Sequence, residues 1–174
     1  MRAEMRLIGV LALALLLGGC TGVPEGLTPL RGFDLDRYLG KWYEIARLDH
    51  AFERGLQRVS AEYALRDDGG VDVVNRGYSA AKDAWSEVEG RAYFVDATDV
   101  GHLKVSFFGP FYASYVVFGL DTVDYQYAFV TGYDRSYLWL LARTPTVSDD
   151  VLAQFMTLSG QLGYDTDRLV FVEH

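Results

Sequence analysis

Residues 36–47 read DRYLGKWYEIAR, and the fold follows from this stretch. Gly40 favours a tight turn, after which Trp42 is the first inward-facing side chain of a β-strand. A large indole just inside the start of a strand predicts a plug that closes one end of a barrel or sandwich. Such a plug needs further strands around it and a residue that covers it.

The rest of the chain supplies these strands as short β-rich segments separated by turn residues. The run Asp67-Asp68-Gly69-Gly70 is a strong hairpin signal. We predict strands near residues 41–48, 57–66, 71–78, 87–95, 102–108, 113–120, 126–132 and 136–143. Strands of similar length with short connections predict an all-β fold, an antiparallel barrel or sandwich.

Two helical elements flank the strands. Residues 34–39 predict a short helical turn that ends at Gly40. Ser148 is a good N-cap, and the apolar residues after it recur at helical spacing, which predicts one α-helix packed against the outside of the sheet. The apolar residues 169–172 predict a short additional strand.

Composition excludes several classes of protein. The chain has 174 residues, 50% of them hydrophobic, which predicts one folded domain and excludes a disordered chain. The net charge of −8 argues against a nucleic-acid partner, because binding to phosphates needs clustered Lys and Arg.

The N-terminus reads as an export signal. Residues 1–19 combine a basic start with an apolar run too short to span a bilayer, which predicts a signal peptide. Leu17-Gly18-Gly19-Cys20 resembles a bacterial lipobox, so Cys20 is the predicted lipidation site; the alternative is an ordinary cleaved signal with an incidental cysteine. Thr21 then points to the periplasmic side of the outer membrane. Residues 20–30 predict a lipidated tether of roughly 30 Å, followed by a barrel domain at 31–174.

Three motifs, in order, resemble those of the lipocalin family, in its bacterial and apolipoprotein D-like branch. They are Gly40-Lys41-Trp42, the stretch LDTVDY at 120–125, and Leu141-Ala142-Arg143-Thr144-Pro145. The second motif departs from the family pattern because no Thr directly precedes Asp124. The resemblance implies an eight-stranded antiparallel up-and-down β-barrel that holds one small hydrophobic ligand. It also implies that Gly40, Trp42 and Arg143 are structural, with Arg143 covering the indole.

Strand alternation predicts the lining of the barrel. Trp42 brings Glu44 and Ala46 to the inside, and Arg143 brings Leu141 and Trp139. The resemblance places Tyr63, Asn75 and Val116 inside, and alternation adds their neighbours. The predicted ligand-binding residues are Glu44, Ala46, Tyr63, Val73, Asn75, Ala92, Val105, Phe107, Ser114, Val116, Phe118, Trp139 and Leu141. The inward face of the seventh strand is left open.

Glu44 is the exceptional residue in this lining, because burying a carboxylate is costly unless it is paired or protonated. We expect a structural pair with Arg143 or a buried tyrosine; the alternative is a hydrogen bond to a polar group of the ligand.

The resemblance implies a non-catalytic protein that binds or transports lysophospholipids or fatty acids for storage, repair or maintenance of the envelope. One alternative is a structural or stress-response lipoprotein, and another is a lipocalin-type enzyme. No cofactor or metal is predicted, because the three histidines lack metal-ligand spacing. The aromatic run at 107–112 makes a homodimer possible.

Overall fold

A computed structural model describes residues 20–174, so the predicted signal peptide lies outside the described residues. The strands are β1 (Gly40–Leu48), β2 (Leu56–Leu65), β3 (Val71–Ser79), β4 (Ala84–Phe94), β5 (His102–Phe108), β6 (Phe111–Leu120), β7 (Tyr127–Thr131), β8 (Leu138–Ala142) and β9 (Leu169–Phe171). The helices are α1 (Leu35–Tyr38) and α2 (Asp149–Gln161), and a 3₁₀ turn lies at Thr166–Arg168. Neither α1 nor α2 is long and apolar enough to cross a membrane.

The sheet closes on itself. Strands β2 to β8 pair in chain order, and β1 pairs antiparallel with both β8 and β2. This is the predicted up-and-down barrel of eight strands, with β9 added alongside β1. The predicted helical turn and C-terminal helix are also confirmed.

A β-bulge in β1 reverses the alternation of its side chains. The pairing of β1 with β8 shifts register between Glu44 and Ala46. Ile45 and Ala46 both join the apolar cluster under α2, while Arg47 reaches the Glu44 carboxyl inside the barrel. The predicted inward position of Ala46 is therefore wrong, because the bulge inserts one extra residue on the outer face.

Apolar side chains form two separate clusters. The inner cluster fills the barrel; its buried members include Trp42, Tyr63, Val73, Ala92, Leu103, Val117, Ala128, Val130 and Leu141. The outer cluster lies between the wall and α2; its buried members include Ile45, Ala46, Leu48, Val116, Phe129, Leu138, Leu140, Ala142 and Phe155. Phe155 is fully buried, with its ring centroid 5.1 Å from that of Phe129. The helix is thus docked outside the barrel, as predicted.

Strand β6 presents the opposite face from the predicted one. Val117 belongs to the inner cluster and Tyr115 packs against it, whereas Val116 and Phe118 belong to the outer one. Ser114 also faces out, where it contacts the N-terminal segment. Both faces of β6 are covered and therefore apolar, so a period-two pattern does not distinguish them.

Residues 20–30 lie along the barrel wall instead of standing clear as a tether. The backbone N–H of Ser114 donates to the Cys20 carbonyl at 2.8 Å, and that of Leu30 donates to Val117 at 2.9 Å. Leu27 is 8% exposed in the outer cluster. The expectation of an extended tether is corrected by these contacts, since the segment has apolar residues to bury and backbone partners to meet.

Candidate functional site

The floor of the barrel is built around Trp42 and Arg143. Trp42 is fully buried, and its Nε1 donates to the carbonyl of Tyr38 at 2.8 Å. The Arg143 guanidinium carbon lies 3.9 Å from the centre of the indole ring. Gly40 has a φ of +90°, and a Cβ there would lie 3.5 Å from Arg143 Nη1, so the turn and the cation approach closely.

Arg143 also joins three chain segments at this end. Its side chain donates to the carbonyls of Lys41 at 2.9 Å, Arg37 at 2.8 Å and Tyr125 at 3.3 Å. These carbonyls belong to the start of β1, the end of α1 and the β6–β7 loop. The cation therefore holds the closed end together, which is the structural role predicted for it.

The β6–β7 loop, which contains the atypical second motif, is held by the side chain of Asp121. The carboxylate of Asp121 accepts hydrogen bonds from the backbone N–H groups of Val123, Asp124 and Gln126. Tyr125 is held at a positive φ of 56° and stacks under Arg37 at 4.1 Å. The local fold thus does not depend on the Thr that the motif lacks.

Three tyrosines form a hydrogen-bonded group just above the floor. The Tyr115 hydroxyl lies 2.7 Å from that of Tyr38 and 3.0 Å from that of Tyr63. Burial raises the pKa of all three phenols, so they remain neutral and share their protons within the group. Tyr115 was not among the predicted residues because the face of β6 was inverted.

The structure places most of the predicted lining residues on the inner face. Those inside are Glu44, Tyr63, Val73, Asn75, Ala92, Val105, Phe107, Trp139 and Leu141. Ala46, Ser114, Val116 and Phe118 lie outside, as described above. On β7, whose orientation the sequence left open, Ala128 and Val130 face in.

The upper part of this interior is open to solvent. Near the floor, inward residues such as Val73 and Leu141 are buried, at 4% and 6% exposure. Towards the other end, Asn75, Val105 and Trp139 also face inward but are only half-buried. An inward side chain that solvent reaches marks open space, so the barrel has an accessible interior above a closed floor.

A buried polar cluster lies on one wall of this interior. Arg47 Nη1 donates to Glu44 Oε1 at 2.7 Å, and both residues are nearly inaccessible to solvent. Arg47 Nη2 donates to the carbonyls of Glu53 at 2.8 Å and Leu56 at 3.1 Å, both in or next to the β1–β2 loop. His50 Nε2 lies 2.8 Å from the Glu53 carboxylate.

The two carboxyls of the cluster differ in ionisation. Burial raises the pKa of Glu44 well above its usual value, and the Glu53 carboxylate raises it further against the opposing effect of Arg47. Burial also opposes ionisation of Glu53, but His50, a hydrogen bond from Trp139 and the charge of Arg47 lower its pKa overall. Glu44 is therefore harder to ionise than Glu53. The side-chain partner of Glu44 is Arg47, and not Arg143 or a tyrosine as expected.

Buried polar atoms without a hydrogen-bond partner among the described residues include Arg47 Nε and Asn75 Oδ1. The Oδ1 atom of Asn75 is buried and accepts no hydrogen bond from the part of the chain that the structure describes. A buried acceptor left unpaired is unfavourable by about 1–3 kcal/mol. A ligand group that donates a hydrogen bond to this oxygen would remove the cost. Asn75 is therefore a candidate hydrogen-bond acceptor for a ligand.

Arg47, His50 and Glu53 were missed as site residues. Arg47 lies three positions after the inward-facing Glu44, so strict alternation predicts that its side chain faces outward. The bulge turns it inward. The run Glu44 to Glu53 does contain three acids, an Arg and a His in ten residues. This density of ionisable residues next to a buried strand was the sequence signal that could have identified the cluster.

Comparison with known proteins agrees with this architecture. The sequence profile of the lipocalin-like domain family matches residues 33–174. The chain is 57% identical over 169 residues to "Outer membrane lipoprotein Blc" of Vibrio cholerae serotype O1, covering 97% of this chain and 99% of that protein. It is 48% identical over 174 residues to the protein of the same name from Escherichia coli strain K12, covering 97% and 98%.

A solved structure supports the same fold at a greater distance. Insecticyanin from the tobacco hornworm Manduca sexta superposes with a TM-score of 0.69 at 20% sequence identity, covering 88% of this chain and 87% of that one. At this identity the likeness concerns the barrel and its helix only.

Proposed function

The chain belongs to the lipocalin family, whose members bind small hydrophobic ligands, and from this premise we propose that it holds a lysophospholipid or a fatty acid in its barrel. The proposed role is binding or transfer of that lipid for storage, repair or maintenance of the envelope, without catalysis.

The observation that carries this proposal is the graded interior of the barrel. Apolar residues line it from the floor upward, and the inward residues Val105 and Trp139 towards the open end are partly accessible to solvent. A narrow apolar space closed at one end suits a single acyl chain inserted tail first, because each methylene removed from water contributes about 0.8 kcal/mol.

The polar groups of the interior suit the head of such a lipid. Arg47 donates to the Glu44 carboxyl and to the carbonyls of Glu53 and Leu56, so these groups are already paired within the protein. Asn75 Oδ1 is the acceptor that awaits a donor. The glycerol hydroxyl of a lysophospholipid or the protonated acid of a fatty acid can supply that donor.

The location at the outer membrane follows from relatives that share 57% and 48% of their residues with this chain over nearly its whole length, each named an outer membrane lipoprotein. We further propose that Cys20 carries the acyl anchor. Cys20 is exposed, and it is the only cysteine in the sequence.

Lipid extraction from the purified full chain tests the binding role. Solvent removes a held lipid but leaves chains that are covalently attached, so mass spectrometry of the extract should find about one acyl lipid per protein. Val105→Arg places a charge on the inner wall and should abolish this lipid and the binding of a fluorescent fatty acid. Phe171→Arg, on an exposed strand outside the barrel, is the matched control and should bind normally. Absence of both bound lipid and fatty-acid binding in the unmodified protein would overturn the proposal.

A further inference from the structure

We propose that the open end of the barrel rests on the membrane that carries the anchor, with Phe108 and Phe111 inserted among its lipids. The partner of this surface is the lipid monolayer itself. The inference rests on the proposed acylation of Cys20 and adds an orientation to it.

Cys20 is fixed next to the open end. It forms a parallel bridge with Ala113, two residues from the start of β6 at Phe111. Two residues of a strand span about 7 Å. An acyl anchor at Cys20 therefore begins about 7 Å along the strand from the β5–β6 hairpin. This hairpin lies at the end of the barrel opposite Trp42.

Hydrogen bonds hold the segment after Cys20 in this place. The Ser114 hydroxyl donates to the Gly22 carbonyl at 2.6 Å, and His102 Nε2 lies 3.1 Å from the Thr21 carbonyl. Farther along, Arg135 Nη2 donates to the Glu25 carbonyl at 2.5 Å. Because this segment is bound to the barrel wall along its length, the anchor cannot move far from the open end. The position of the anchor therefore determines which end of the barrel meets the membrane.

The open end carries exposed aromatic side chains. Phe108 and Phe111 are 67% and 69% exposed on the β5–β6 hairpin, Phe52 is 73% exposed on the β1–β2 loop, and Trp85 is 59% exposed at the start of β4. The exposed apolar residues at the closed end are aliphatic and separate: Leu65, Val95 and Val123. Aromatic rings favour the boundary between lipid tails and water, so the two ends differ in the way that a membrane contact requires.

This orientation gives the lipid a path that avoids water. If the open end faces the monolayer, an acyl chain can pass between the membrane and the barrel interior beside the anchored hairpin. The anchor then positions the site in addition to retaining the protein at the membrane.

Fluorescence quenching of the acylated full chain tests the orientation. Acylation of Cys20 leaves no other thiol, so one introduced cysteine, Phe111→Cys or Val123→Cys, takes a single bimane label. The proteins are placed in vesicles of phosphatidylethanolamine and phosphatidylglycerol. A spin label on the lipid should quench the probe at 111 several-fold more than the probe at 123, and aqueous iodide should show the reverse order.

Paired substitutions give a second readout. Phe108→Asp with Phe111→Asp should slow transfer of a fluorescent fatty acid between vesicle and protein at least tenfold, while affinity in detergent is unchanged. Leu65→Asp with Val123→Asp at the closed end is the control and should transfer normally.

Three outcomes would overturn the orientation. Equal lipid quenching at 111 and 123 would show that neither end is preferred, while lipid binding would stand. Protection of the probe at 111 from both quenchers would mean that a second copy of the chain covers this face. An intact mass without acyl groups on Cys20 would refute the anchor together with the orientation, and the extraction experiment would still decide lipid binding separately.

Discussion

The Arg47 guanidinium lies 2.7 Å from the Glu44 carboxyl inside the barrel, three positions later on the same strand. Side chains at that spacing normally point to opposite faces of a sheet, and the bulge between Glu44 and Ala46 brings both to the inner face. Arg47 continues to the backbone of the β1–β2 loop through Glu53 and Leu56. The bulge, the buried pair and the loop at the open end therefore form one connected unit.

The raised pKa of Glu44 predicts a pH dependence of stability. Its folded pKa lies above the ordinary value, so as pH rises past about 4.5 the unfolded chain loses this proton while the folded chain keeps it. The free energy of unfolding then falls by up to about 1.4 kcal/mol per pH unit until the folded pKa is reached. Glu44→Gln removes this term, so in urea unfolding the stability of the variant relative to the wild type should increase as pH rises above about 4.5.

The Glu53 carboxylate affects stability in a different pH range. The pKa of Glu53 is lowered in the folded state, so its stabilising effect is present above the ordinary pKa and is lost as pH falls below it. Glu62→Gln, on the exposed face of β2, is the control for the substitution of a Glu by Gln. Parallel curves of stability against pH for wild type and Glu44→Gln would contradict a raised pKa of Glu44.

Turn residues and β-rich segments predicted the strands but left a barrel and a sandwich open, and the resemblance to lipocalins supplied the eight-stranded barrel and the pairing of Arg143 with Trp42. The orientation of individual side chains was harder to predict from the sequence. A bulge such as that at Ile45 leaves no mark in a period-two pattern, and β6 is apolar on both faces because α2 and residues 20–30 cover its outside. The docking of residues 20–30 was also missed, since Gly and Pro in a short segment indicate a linker unless its partners are known.

Removal of Arg143 should destabilise the fold without changing the affinity of the interior. Arg143→Met loses the contact with Trp42 and three hydrogen bonds to carbonyls, which together contribute about 2–4 kcal/mol. Arg143→Lys should restore only a minor part, because an ammonium lacks the planar donors. Chemical denaturation measures the change, and Arg91→Met on the exposed face of β4 should stay within about 0.5 kcal/mol of wild type. A fatty-acid affinity that falls in the folded Arg143→Met protein would argue that this residue belongs to the ligand site.

Asn75→Leu should have opposite effects on stability and binding. The substitution removes the buried acceptor that lacks a partner, so the free energy of unfolding should rise by about 1 kcal/mol. Binding of a lysophospholipid or a protonated fatty acid should weaken about tenfold, as measured by titration calorimetry. The methyl ester of the same fatty acid has no donor and is the matched ligand, so wild type and variant should bind it alike. If the variant weakens both ligands equally, the loss comes from shape and not from the Oδ1 acceptor.

The C-terminal residues fill the gap where β1 and β2 separate. These strands pair only between Gly40–Tyr43 and Ser60–Tyr63, and the tail enters above them. The N–H of Val172 donates to the Ile45 carbonyl at 3.0 Å, and the Glu173 carbonyl accepts from Arg58 at 2.7 Å.

Deletion of residues 172–174 should therefore open this part of the wall. Three contacts are lost, including that of His174 Nε2 with the Glu44 carbonyl at 2.8 Å, and stability should fall by about 1–3 kcal/mol. Hydrogen exchange should become fast at the Arg58 amide but stay slow in the middle of β3, whose neighbours are unchanged. His174→Ala is the control, because it keeps both backbone bonds and should leave Arg58 protected. Unchanged protection of Arg58 after the deletion would mean that β2 closes against β1 without the tail.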